Sequence, residues 1–127
     1  MSWSAKYVGA YGLTCWGLVA DVYADELGVN LPRYDGHRMS IDEQAEVAAL
    51  IEGERIQSRW KEVPATKAQP LDVMLFRRGR YPSHVGLFVA PGQMLHVDQD
   101  GQARLARFDG IVWGTRLVAV YRHLKRS

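Results

Sequence analysis

The sequence predicts an α+β domain in which N-terminal helices pack on a mostly antiparallel β-sheet. In residues 14–28 and 40–54 the apolar residues recur at helical spacing, with 33–39 as loop between them. From residue 60 onward the chain breaks into short, β-rich runs bounded by Gly, Pro or charge. Helices therefore precede strands instead of alternating with them, which is the order of an α+β arrangement. With 127 residues, 47% hydrophobic and 24% charged, the chain reads as one domain over 1–127, large enough to bury a core.

The first helix is expected over residues 14–28. Leu18, Val19, Val22, Tyr23 and Leu27 form its buried stripe, Thr14 is a candidate N-cap and Gly28 a candidate C-cap. Leu31-Pro32 prevents continuation. Ser40, with Glu43 three residues on, forms a capping box for a second helix over 40–54, with Val47, Leu50 and Ile51 inward. Strands are expected at 60–63, 71–77, 84–90, 93–99, 102–108 and 117–123, with 63–70 as loop.

A net charge of +2 is too small to signal nucleic acid, and the basic tail YRHLKRS reads as solvated. A lone cysteine can build no disulfide framework. The first residues lack a basic segment followed by a long apolar run, so no signal peptide is expected, and no run suits a membrane span. Synthesis in the cytoplasm is the expectation.

The candidate chemistry lies in Cys15, His84 and His96. A thiol in the first turn of a helix meets unsatisfied N–H groups and the positive end of the dipole, both of which favour the thiolate nucleophile. A cysteine nucleophile needs a base and a group that orients the base. His84 and His96 fall in two strands joined by a short connection. A two-residue loop, Pro91-Gly92, would oppose His96 to Leu87 and send the imidazoles to opposite faces. A three-residue loop, Ala90-Pro91-Gly92, opposes His96 to Gly86 and puts both on one face. Proline and glycine suit the latter, so a shared face is expected. Gly86 then leaves space beside both rings. A small buried hydrophobe is the structural alternative for Cys15, and a packed residue for each histidine. Zinc would require a close-spaced ligand pair that the chain lacks, so no metal or cofactor is expected. His37 and His123 read as solvated.

Four segments in order resemble the NlpC/P60 cysteine peptidase family, with its phage tail branch the nearest match. They are Thr14-Cys15-Trp16-Gly17-Leu18-Val19 with Leu31-Pro32 after the helix, Pro70-Leu71-Asp72-Val73-Met74-Leu75-Phe76, Ser83-His84-Val85-Gly86-Leu87-Phe88, and Gly92-Gln93-Met94-Leu95-His96. The resemblance covers residues 3–123 and implies a papain-like fold. It implies Cys15 as nucleophile, His84 as base, His96 as the orienting residue and Tyr11, with Tyr7 next, as the substrate-site tyrosine. It also implies hydrolysis of peptidoglycan stem peptides, often between D-glutamate and meso-diaminopimelate, by a virion tail component that opens the host wall beside other tail proteins. Three departures stand out: Thr14 for the family aspartate, Leu71 for the family glycine, and a shortened run that places Tyr11 four positions before Cys15. The rival expectation is a structural tail tip or assembly protein that keeps the fold with little or no hydrolase activity.

Overall fold

A computed structural model describes residues 3–10, 15–31, 53, 59–78, 81–97, 102–110 and 113–124. Among these, seven strands form one sheet: β1 (Gly9–Ala10), β2 (Trp60–Val63), β3 (Val73–Arg78), β4 (Tyr81–Ala90), β5 (Gln93–Val97), β6 (Gln102–Arg107) and β7 (Leu117–His123). Their order is β1-β6-β5-β4-β3-β7-β2, and every neighbouring pair is antiparallel. The six expected strands are present. β1 escapes sequence reading because it is two residues long and begins with Gly9 at φ 128°. β4 starts three residues earlier than expected. Pro82, which has no N–H to give a ladder, lies where the register slips between the pairs Arg78↔Tyr81 and Phe76↔His84.

The first helix begins at Cys15. α1 (Cys15–Val22) continues into a π-helical turn at Tyr23–Leu27, a widening that the periodicity did not foretell. Gly28 closes it as expected, with φ 65° and its N–H donating to the Tyr23 carbonyl. Leu18, Val19, Val22 and Tyr23 are all buried, α1 packs against β4 and β5, and burying each side chain of this size contributes roughly 1.5–3 kcal/mol. The proposed Thr14 cap lies outside the described residues. Of the second expected helix, 40–54, only Gly53 is described, and it is helical.

Strand alternation gives two apolar clusters. Val73, Leu75, Val85, Leu87, Leu95 and Val97 join α1 in one. Met74, Phe76, Phe88, Met94, Trp113 and Val120 form the other. No described helix is long and apolar enough to cross a membrane.

The turn before β3 is pinned from three sides. Tyr23 donates its hydroxyl to the Leu71 carbonyl at 2.6 Å. The Leu71 N–H donates to Phe88 O and the Phe88 N–H to Asp72 O, both at 2.9 Å. Leu71 itself has φ 75°, the left-handed region where a β-carbon is strained and glycine is not. The departure from the family glycine therefore changes the backbone energy of this turn.

Two readings of the C-terminal segment are corrected. His123 is not solvated: it is 3% exposed, pairs with Trp60 across β2 and β7, and packs against the rings of Trp60 and Tyr23. Arg122 is bound to the buried Asp72 carboxylate, donating from Nε at 3.0 Å and Nη2 at 2.8 Å. Both corrections follow from β7 being an inner strand, flanked by β3 and β2, so that even a basic sequence is drawn into the core. His37 lies outside the described residues.

Candidate active site

His84 and His96 meet through the β4–β5 hairpin. Ala90 pairs with Gln93 around a two-residue turn, Pro91-Gly92, with Gly92 at φ 78°. The expected three-residue loop is thus corrected. The register slips between Phe88 and Ala90, leaving Val89 as a bulge, and below it Phe88 pairs with Met94 and Leu87 with Leu95. The extra residue restores the register that a three-residue loop would have given, and both histidines share a face as expected.

His84 Nε2 and His96 Nδ1 lie 3.0 Å apart, with the rings nearly perpendicular at 88°. His84 is 0% and His96 1% exposed. One proton must lie between these nitrogens. If His84 supplies it from Nε2, His96 accepts at Nδ1, and Nδ1 of His84 is the nitrogen available for proton transfer. A β-carbon on Gly86 would meet Met94 Sδ at 2.9 Å, Leu95 O at 3.3 Å and His96 Cβ at 3.4 Å. The glycine is therefore required by the closeness of β5, more than by open space around the rings.

Cys15 is the first residue of α1 and is buried. It comes from the helix packed against β4 and β5 and joins the cluster of Val85, Leu87, Leu95 and Val97, whereas the imidazoles pack with Phe76 and Trp113 of the other cluster. Tyr11 lies outside the described residues. Tyr7 is described and buried, and its hydroxyl faces the carboxylates of Glu26 at 3.0 Å and Asp25 at 3.3 Å. Burial first, and then those carboxylates, push its phenol well above the ordinary range. Lys6 forms an ion pair with Glu26 and holds that carboxyl below its usual value. Tyr7 thus clamps the N-terminal turn to the helix end.

Asp72, in the second of the four resembling segments, has a structural part. Its carboxylate, 0% exposed, takes both Arg122 donors and the Gln69 N–H at 2.8 Å. Sequence reading missed Trp113, whose indole stacks on His84. Its one signal was a large aromatic set between Gly110 and Gly114. Among the described residues no group of three or more His, Cys, Asp or Glu side chains is arranged to hold a metal ion.

The model of the NlpC/P60 family matches residues 2–122. The chain belongs to the NlpC/P60 family. It is similar to a probable endopeptidase p60 of Listeria seeligeri, 30% identical over 117 residues, covering 92% of this chain and 18% of that protein. It is also similar to the murein DD-endopeptidase MepS/murein LD-carboxypeptidase of Escherichia coli K12, 26% identical over 116 residues, covering 91% of this chain and 52% of that protein. The chain thus spans about half or less of the length of these relatives. An NlpC/P60 family protein from Bacillus cereus shares the fold with a TM-score of 0.68 at 15% identity, covering 95% of this chain and 38% of that one. The P60 domain of an antigen from M. avium subspecies paratuberculosis does so with a TM-score of 0.58 at 16% identity, covering 95% and 88%. This NlpC/P60 domain accordingly has the α+β fold expected from its sequence.

Proposed function

We propose that this NlpC/P60 domain is a cysteine peptidase that cuts peptidoglycan stem peptides, with Cys15 as nucleophile, His84 as base and His96 as its orienting partner. The observation that carries the reading is the buried His84–His96 hydrogen bond, which fixes one imidazole nitrogen and leaves the other for chemistry. Family membership and the probable endopeptidase of Listeria seeligeri support a peptidase, and the murein endopeptidase of Escherichia coli supports the substrate class.

In the proposed reaction Cys15 gives its proton to His84 Nδ1 and the thiolate attacks a stem-peptide carbonyl. Backbone N–H groups at the start of α1 hold the oxyanion. The tetrahedral intermediate collapses, the C–N bond breaks, and the His84 imidazolium protonates the departing amine. Water then gives a proton to His84, its oxygen attacks the thioester, and the carboxylic acid leaves as Cys15 recovers its proton. Throughout, His96 Nδ1 accepts from His84 Nε2.

The D-glutamate–meso-diaminopimelate bond is the proposed cleavage point, and a phage tail that opens the host wall the proposed setting. Both rest on the motif resemblance, the tail setting on the tryptophan that follows the cysteine. Mass spectrometry of products from purified peptidoglycan tests the reading. The wild-type domain is expected to release fragments cut at that bond, and Cys15→Ala to release none while keeping its fold. Fragments cut between two D-centres, the bond class named for the Escherichia coli relative, would move the cleavage point. No fragments from the wild type would favour the structural tail protein, and peptide mapping of purified virions tests the location.

A further inference from the structure

Trp113 spans both members of the histidine pair. Its indole stacks on His84 with centroids 4.8 Å apart and planes 18° from parallel, and meets His96 edge-on at 5.2 Å and 77°. Phe76 packs on His84 at 6.2 Å. The connection between β6 and β7 holds the indole there. Gly114 N–H donates to Gly110 O at 2.8 Å, Arg116 N–H to Trp113 O at 2.9 Å, and Arg77 N–H of β3 to Arg116 O at 2.8 Å. A β-carbon on Gly114 would stand 2.7 Å from Gly110 O, so this turn closes only with glycine. The Arg116 guanidinium lies 5.6 Å from the indole centroid.

The Nε2–Nδ1 hydrogen bond by itself leaves the His84 ring able to rotate or flip once water competes for the acceptor. An indole lying parallel to the ring forbids the flip and covers the bond. Its π face also favours the imidazolium that forms when the thiol gives up its proton. We infer that Trp113 is a positioning residue that locks the His84 ring plane and shields the His84–His96 hydrogen bond from water. This inference rests on the reading of His84 as base.

The test uses ¹⁵N-imidazole NMR of the Cys15→Ala domain, alone and with Trp113→Phe or Trp113→Leu. The shared imidazole N–H is expected to exchange slowly with water in the parent. Loss of the stacked ring in Trp113→Leu should speed exchange by up to about tenfold, with Trp113→Phe between the two. In the Cys15 background, kcat for muropeptide hydrolysis should fall in the same order with KM nearly unchanged. Equal exchange in Trp113→Leu and the parent overturns the inference, as does equality of the Phe and Leu variants. Because Trp113→Phe keeps an aromatic ring in the core, it carries the comparison if the Leu variant fails to fold. Exchange in the expected order, with no hydrolysis by the wild type, would sustain the positioning role and refute the peptidase reading.

Discussion

Arg122 reaches from β7 to the buried carboxylate of Asp72 with two parallel donors, tying the last strand to the turn that starts β3. The pair is inside the sheet edge, with side-chain exposures of 15% and 0%. Removing one partner leaves a buried charge uncompensated. Arg122→Ala should therefore lower stability by roughly 3 kcal/mol. Urea denaturation measures this, and a loss under about 0.5 kcal/mol, the scale of an exposed pair, would contradict it.

His96→Ala removes the acceptor for His84 Nε2. If His84 is the base, kcat should fall by on the order of 10²–10⁴. His96→Gln, whose amide oxygen can accept, should recover part of the loss. Muropeptide turnover followed by chromatography gives both numbers, and an active His96→Ala would exclude the orienting role.

Gly86→Ala places a carbon against Met94 Sδ, Leu95 O and His96 Cβ. The methionine can swing aside, but the backbone oxygen cannot. A stability loss of about 1–3 kcal/mol is expected. The amide and ring resonances of His96 should shift in the same variant, and an unmoved His96 spectrum would show that the site tolerates the carbon.

Leu71, at φ 75°, invites a comparison of two truncations. Both Leu71→Ala and Leu71→Gly lose the side chain, but only glycine relieves the left-handed strain. The glycine variant should be the more stable by about 1 kcal/mol, the reverse of the usual order in regular structure. Paired thermal melts decide the sign.

Glu26 is held below its ordinary value chiefly by the Lys6 ammonium, with the Tyr7 hydroxyl adding to it. A depressed folded-state carboxyl stabilises fully above its unfolded pKa and loses that contribution as pH falls through the folded value. The Tm advantage of the wild type over Glu26→Gln should thus be constant from pH 7 down to about 5 and shrink below about 4. An advantage that grows on acidification would reverse the assignment.

The sequence disclosed most of what positions the site because that information is local. Helical spacing from Leu18 to Val22, the Gly28 stop and the alternation around His84 and His96 are set by near neighbours. What it hid depends on contacts distant in sequence. Arg122 and Asp72 are 50 positions apart, so nothing nearby marked Arg122 as an internal cation. His123 read as part of a basic tail until β2 and β3 enclosed its strand. Trp113 is brought to His84 by a loop with no periodicity. Hairpin parity gave the right face but the wrong turn, because a bulge and a longer loop have the same effect on register.

That bulge gives the hairpin a slack residue. Val89 sits between the turn and the first regular pair, Phe88↔Met94. Deleting it would leave an unbroken two-residue hairpin with the pairs beneath it still in phase. Deleting Leu87 or Leu95 instead would turn one imidazole to the far side of the sheet. The tip can therefore change length by one residue while the histidines stay together, but the five-residue span from His84 to Phe88 cannot.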